Sequence, residues 1–251
     1  MLSVVFLAVG AFVSTPAFGQ SPNPSSGNQN SSVMPTYVEE FFLSEAVKNE
    51  DKGELQLTLG VDSRHQLGSN TVLQLEYGLT DRLQLSSEVP YGITAERYAE
   101  VPAGWSSAVV GVQYQFVQSR TFALTAGIGV GFPVNSKSEP SWEPTVLVAK
   151  SLGKLQLHGS IVAELENESK SFAYNMACAY PIRRHWFGTL EWNARRLLGR
   201  NAFYATPGVY RHLDRGLEIG VGVPLGIGGV ASFVGIAAKI TWEFKEDRGR
   251  D

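Results

Sequence analysis

The sequence predicts an all-β chain, an antiparallel up-and-down transmembrane β-barrel of about 12 strands. Three observations carry that expectation. From Gly53 onward, apolar and polar residues alternate with a period of two, which gives strands one oily and one polar face. The alternation is strictest in Ser232–Phe244, where Val234, Ile236, Ala238, Ile240, Trp242 and Phe244 oppose Gly235, Ala237, Lys239, Thr241 and Glu243. That stretch matches a tilted strand crossing a bilayer, which takes about 9–11 residues. Third, the oily faces carry almost no charge, while the polar faces mix Gln, Glu and Ser with Gly and Ala. A soluble β-sandwich or lipocalin-like barrel would show the same alternation with its polar face outward. The uncharged oily faces and a signal-like start favour the membrane. If the last strand crosses lipid, every other strand must, because an open sheet edge there leaves backbone groups unsatisfied.

Composition bounds the rest. A hydrophobic content of 43% with 18% charge excludes wholesale disorder, and a net charge of −3 gives no reason to expect a nucleic-acid partner. The single Cys178 excludes an intramolecular disulfide and a cysteine-based metal cluster. Leu2–Val13 is too short for a transmembrane helix but fits the apolar core of a signal peptide. Ala17 and Gly19 then suggest cleavage before Gln20, so residues 1–19 are read as a signal peptide, although a basic n-region is missing. With no other long apolar run, an inner-membrane protein is not expected.

Residues 20–50 form a linker and a possible short plug or lead-in. Gln20–Pro35 is rich in Pro, Ser, Asn and Gly. In Tyr37–Asn49, Val38, Phe41, Phe42 and Glu45 stand near helical spacing, compatible with a small helix plugging or capping the barrel or with an extended lead-in. The barrel proper spans residues 51–244, and residues 245–251 make a polar tail.

The strands follow in order. Outward rows begin at Leu55, Leu73, Leu83, Ala108 and Phe122, and each alternates with polar or small residues. Glu143–Ser151 is less regular, and its outward face is not fixed by pattern. Leu155–Leu165, Phe172–Tyr180 and Trp186–Arg195 alternate again. Asn201–His212 is weaker, and Pro207 predicts a bulge or irregularity there. Leu217–Val223 precedes the closing strand. Short turns such as Thr80–Arg82, Gln118–Arg120 and Leu152–Lys154 alternate with longer gaps at Ser63–Asn70, Ile93–Gly104 and Pro133–Trp142. That asymmetry is expected of periplasmic turns and outside loops. Phe116, Phe122, Trp186, Trp242 and Phe244 near one end, and Tyr91, Trp105, Phe132 and Trp142 near the other, fit two aromatic girdles.

One hairpin supplies a family likeness. In Tyr77–Gly92, YGLTDRLQLSSEVPYG, residues Tyr77 to Arg82 form a turn and Val89, Pro90 and Tyr91 end the next strand. A looser copy stands at Asp214–Pro224, DRGLEIGVGVP, and Lys52–Val61 opens in a similar way. The hairpin resembles that of the outer-membrane β-barrel family of transporters associated with the meta-pathway of phenol degradation. The resemblance implies an outer-membrane barrel and passage of small, hydrophobic or aromatic compounds; it carries over no binding residue. In the turn itself, Asp81 is expected to accept backbone amides.

The inward rows supply the candidate site. Glu76, Glu88, Glu164, Glu191, Arg195, Glu218 and Lys239 are the lumen-lining candidates, with Glu166, Glu243 and Arg82 nearby in pattern. They form either a charged constriction or an ordinary hydrated lumen with balanced charge. Inward Gly127, Gly129, Gly131, Gly220 and Gly222 either leave open volume or let an inserted segment approach the wall. His158, Ser160 and Glu164 share one inward face, but outer-membrane lipases act at the lipid surface, so no catalytic residue is assigned. His65, His185 and His212 share no ligand spacing, and no metal or other cofactor is expected. Cys178 on an oily face is an apolar filler.

The expected function is a passive outer-membrane channel for small molecules, not an enzyme. Its partners would be outer-membrane lipid, the barrel-assembly machinery through the C-terminal strand, and a small-molecule solute. The rivals are a non-conducting structural or adhesive barrel and, further off, a barrel enzyme acting on lipid.

Overall fold

A computed structural model describes residues 34, 37–44, 47, 49–64, 68–93, 104–105, 107–134, 139–166, 170–197, 200–229 and 234–245. The expected signal peptide, most of the linker and the tail beyond residue 245 lie outside these residues.

Among the described residues the chain forms β1 (Glu54–Arg64), β2 (Gly68–Thr80), β3 (Leu83–Ile93), β4 (Gly104–Trp105), β5 (Ser107–Gln118), β6 (Phe122–Pro133) and β7 (Ser141–Leu152). Then come β8 (Leu155–Leu165), β9 (Lys170–Arg183), β10 (Trp186–Leu197), β11 (Arg200–His212), β12 (Leu217–Gly222), β13 (Leu225–Gly229) and β14 (Gly235–Lys245). Each long strand pairs antiparallel with its sequence neighbour. Pairing of β1 with β14, from Glu54↔Lys245 to Arg64↔Gly235, closes the ring. The two-residue β4 extends the β5 stave along β3, and β12 and β13 are halves of one stave beside β11. Twelve staves result, as the sequence predicts.

The barrel is inverted relative to a soluble one. Gln56, Gln74 and Gln84 are buried inside, while Leu59, Leu73 and Ile240 stand outside, each over 40% exposed. Register aligns the outer row, because Leu59 lies opposite both Leu73 and Ile240. Exposed aromatics occupy both ends of this apolar band. Trp242 and Phe244 stack at 4.7 Å near one end, and Tyr91 and Trp105 meet edge-on at 4.9 Å near the other. No helix among the described residues is long and apolar enough to cross a membrane; the crossing is made by strands.

Short turns gather at one end of the barrel, together with the start of β1 and the end of β14. In the Tyr77 hairpin, Thr80 and not Asp81 satisfies the turn: its Oγ1 accepts the amides of Arg82 at 3.2 Å and Leu83 at 3.0 Å. Asp81 instead accepts the Lys52 amide at 3.4 Å, because Lys52 leads into the neighbouring strand.

Two irregular strands now have physical reasons. In β7 the inward row is Ser141, Glu143, Thr145, Leu147 and Ala149, so its lower half is apolar on both faces. Leu147 and Ala149 pack with Met34, Val47 and Ala123. The inward row is oily where something oily meets it, and the period-two signal vanishes there. Pro207 leaves β11 itself continuous against β10. The break falls in the next stave, at Val223–Pro224, where the Val223 amide reaches the Pro207 carbonyl at 3.0 Å.

The outward row gives a test. Leu73→Arg, in the middle of the apolar band, is expected to destabilise the folded barrel in lipid vesicles by about 2–4 kcal/mol. Urea unfolding of the variant beside the wild type measures it.

Candidate functional site: a lumen closed by the N-terminal segment

The inward row of β1 to β14 is polar, and its donors and acceptors need partners. Much of that demand is met by the chain that precedes β1. Residues 37–44, 47 and 49–51 lie inside the barrel, with Val38, Phe41, Glu40, Val47 and Glu50 at or below 1% exposure. The segment is irregular and contains no helix among its described residues, so the helical spacing near Val38 and Phe41 does not express itself. Wall side chains hydrogen-bond its backbone at many points and displace helical pairing.

The path is an inserted loop. Near the short-turn end, the Tyr37 amide donates to Gln156 Oε1 at 3.3 Å, and the ring stacks on Phe187 at 5.6 Å. The Tyr37 carbonyl meets His212 Nε2 at 3.0 Å, and His212 also pairs with Glu218 at 2.6 Å. Glu218 then accepts the Glu39 amide at 3.2 Å. Midway up, Lys239 donates to the Glu40 carboxylate and to the Phe41 carbonyl, while Gln74 reaches the other Glu40 oxygen at 2.8 Å. At the apex, both oxygens of Glu191 accept backbone amides, from Phe42 and from Leu43, each at 2.8 Å. Asn193 caps the Leu43 carbonyl at 3.1 Å and the Ser44 hydroxyl at 3.0 Å.

The segment then descends. The Val47 carbonyl accepts from Gln115 at 3.1 Å and Thr125 at 2.8 Å, and Asn49 donates to the Arg82 carbonyl at 2.8 Å. Gln84 accepts the Glu50 amide at 2.8 Å and donates to Glu76 at 3.2 Å. Glu76 also accepts from Gln56 at 2.7 Å, so it orients the glutamine row beneath the plug.

Glycines shape the seat. A Cβ on Gly208 or Gly222 would collide with the Phe42 ring, and one on Gly78 would collide with the Glu50 and Asp51 carbonyls. Phe42 packs against Tyr210 with ring centroids 4.6 Å apart, and Phe41 meets the His158 ring edge-on at 4.8 Å. Gly222 therefore serves the inserted segment, as one sequence expectation had it. Gly220 makes room for the wall's own Tyr210 instead.

Above the apex the lumen opens toward the long-loop end as a recess floored by Phe42 and Leu43. Arg64 and Arg195 flank the Tyr204 ring at 5.0 and 4.9 Å, and Arg195 donates to the Tyr204 hydroxyl at 3.3 Å. Arg64 is also paired with Asp62 at 2.6 Å. Across the ring order from β10, β11 and β1, strands β3, β7 and β8 bear Glu88, Glu143 and Glu164. The vestibule thus has an arginine-bearing wall and an acidic wall on opposite arcs.

The seven predicted lumen residues divide between these levels. Glu191, Glu218 and Lys239 hold the inserted segment, Glu76 supports it through Gln84, and Glu88, Glu164 and Arg195 lie above it. Arg82 differs from its expectation: it sits exposed in a turn and offers the lumen side only its carbonyl. The glutamine and asparagine partners, with His212, Tyr204 and Tyr210, escape a search for charge; their signal is their place in the inward row. His158, Ser160 and Glu164 form no relay among the described contacts. Ser160 accepts from Asn175 at 2.9 Å, Glu164 from Ser171 at 3.0 Å, and His158 faces Phe41. At the junction with β1, carboxylate oxygens of Glu50, Glu54 and Glu243 lie within 4.8 Å of one another, with Lys245 3.1 Å from Glu54.

No protein-family model matches the sequence, and no curated protein matches it. The fold does have solved counterparts. An outer membrane channel from Pseudomonas putida F1 is similar with a TM-score of 0.61 at 11% identity, covering 79% of this chain and 98% of that one. The KdgM porin gives 0.59 at 12% identity, covering 75% and 99%, and the NanC porin 0.53 at 12%, covering 76% and 99%. These likenesses concern the barrel architecture.

Glu191 offers a direct test of the seat. Glu191→Ala removes two hydrogen bonds to a carboxylate, each worth about 1.5–3 kcal/mol. Hydrogen exchange at the Phe42 and Leu43 amides is expected to accelerate at least ~10-fold, with the barrel amides of β10 unchanged.

Proposed function

We propose that the protein is an outer-membrane channel for passive passage of small molecules, closed by its own N-terminal segment. The observation that carries this reading is how the lumen is filled. Wall side chains reach a separate stretch of chain through hydrogen bonds and ion pairs, rather than meeting each other across the barrel. Barrels of eight strands are filled by their side chains, and those of sixteen or more leave an aqueous channel. Twelve staves stand between them, wide enough to hold a chain segment and therefore wide enough to conduct without it. The barrel likeness to two porins and an outer membrane channel supports both the channel role and the location. On this reading the short-turn end faces the periplasm, and the N-terminal segment enters from there. The alternating β14, ending in Trp242 and Phe244, is the element offered to the assembly machinery.

The solute class follows from two features. The hairpin likeness to the phenol meta-pathway family points to small hydrophobic or aromatic compounds. The Arg64–Tyr204–Arg195 stack in the vestibule points to negative charge. A small aromatic carboxylate meets both.

Single-channel recording in planar bilayers tests the proposal on the full chain and on a deletion of residues 20–49. The deletion is expected to give larger and longer current steps than the full chain. Under a salt gradient, Arg195→Gln should shift its selectivity toward cations. Silence from both chains, with folded heat-modifiable barrels on gels, would overturn the channel reading and favour a non-conducting structural barrel.

A further inference from the structure

A second recess lies in the wall side of the upper lumen, between β3, β5, β6 and β7, apart from the inserted segment's main contacts. Oxygen ligands line it from three strands: Ser86 and Glu88 from β3, Gln113 from β5, and Glu143 and Thr145 from β7. Three of these are more than nine-tenths buried and hold an oxygen with no hydrogen-bond partner. They are Glu143 Oε2, Gln113 Oε1 and Thr145 Oγ1, with residue exposures of 3%, 5% and 4%. Glu88, at 4% exposure, adds a second carboxylate. No lysine, arginine or histidine is among the described residues that line this recess.

The wall is built to aim these groups. A Cβ on Gly127 would stand 2.6 Å from Gln113 Cγ, and one on Gly111 would stand 2.6 Å from Ser86 Oγ. On Gly129 it would meet the Glu143 Cβ at 3.5 Å, and on Gly131 the Glu143 Oε1 at 3.3 Å. The glycine ladder lets these polar side chains lie flat across the strands and converge. Buried carboxylates without a compensating cation are costly, and so are buried oxygens without a donor. One occupant answers both demands.

We propose that this recess binds a divalent hard cation of the calcium class. Two carboxylates match its charge, and amide and hydroxyl oxygens complete an all-oxygen donor set. Calcium accepts six to eight oxygens in flexible geometry, whereas magnesium demands near-octahedral placement and keeps its waters. Side chains drawn from three strands without a preformed octahedron suit calcium. The site lies in the acidic wall of the vestibule, and none of its ligands lines the recess floored by Phe42 and Leu43.

Isothermal titration of the refolded, chelator-treated full chain with calcium chloride tests this, with magnesium chloride as competitor. The expected result is one calcium per chain at this site, not displaced by equimolar magnesium, and bound at least 10-fold more weakly by Glu143→Gln and by Glu88→Gln. Thr145→Val, which changes no charge, should weaken binding too and keeps the test decisive if a carboxylate variant fails to refold. Glu54→Gln, in the separate carboxylate cluster at the β1 junction, should leave this affinity unchanged. Absence of calcium uptake by the wild type overturns the proposal. So does uptake that survives Glu143→Gln and Glu88→Gln intact, or that is lost in Glu54→Gln alone.

Discussion

A lysine ammonium inside a barrel needs acceptors, and Lys239 finds them on the inserted segment rather than on the wall. Its contacts to the Glu40 carboxylate and the Phe41 carbonyl hold the middle of residues 37–44 in place. Removing either partner of such a buried pair leaves an uncompensated charge, which costs far more than the pair contributes. From that anchor the rest follows. Phe41 reaches His158, Phe42 drops into the space at Gly208 and Gly222, and the next two amides reach Glu191. The apex so placed becomes the floor of the vestibule, and the arginine and glutamate arcs face each other above it.

This dependence couples the two ends of the chain. Lys239 and Glu40 are 199 residues apart, and Glu218 and Glu39 are 179 apart. Such contacts have a large closure entropy and form late. The inserted segment can be seated fully only once β14 has joined β1, because part of its seat is β14. A filled lumen is therefore also a completed one.

The barrel was legible in the sequence because inversion preserves a simple pattern: one face for lipid, one for the interior. Even the connection lengths and the aromatic bands follow from it. Two strands resisted for reasons that lie outside themselves. In β7 the inward Leu147 and Ala149 answer Val47 from a distant segment, so no local period could show which face was which. At Pro207 the missing amide disturbs the neighbouring stave and not its own. The candidate site was legible as a set of inward charges, and three of seven turned out to grip the inserted segment directly. Their grouping into a grip, a support and a vestibule was not legible, because it depends on the heights of residues in a ring. Nor does sequence reveal that Glu191 binds amides and not a counter-charge. Those amides belong to a loop with no regular structure among its described residues.

The divided stave has a mechanical meaning. From β1 round to β12, neighbouring staves are stitched by runs of paired residues. Between β13 and β14, the described residues show one isolated bridge, Leu225↔Val234, and the Gly235 amide on the Pro224 carbonyl at 2.8 Å. A cylinder under radial stress yields where its hoop is thinnest. At Val223–Pro224 one stave passes from β12 to β13, and a widening of the upper barrel that began at that handover would open sideways into the apolar band instead of along the axis.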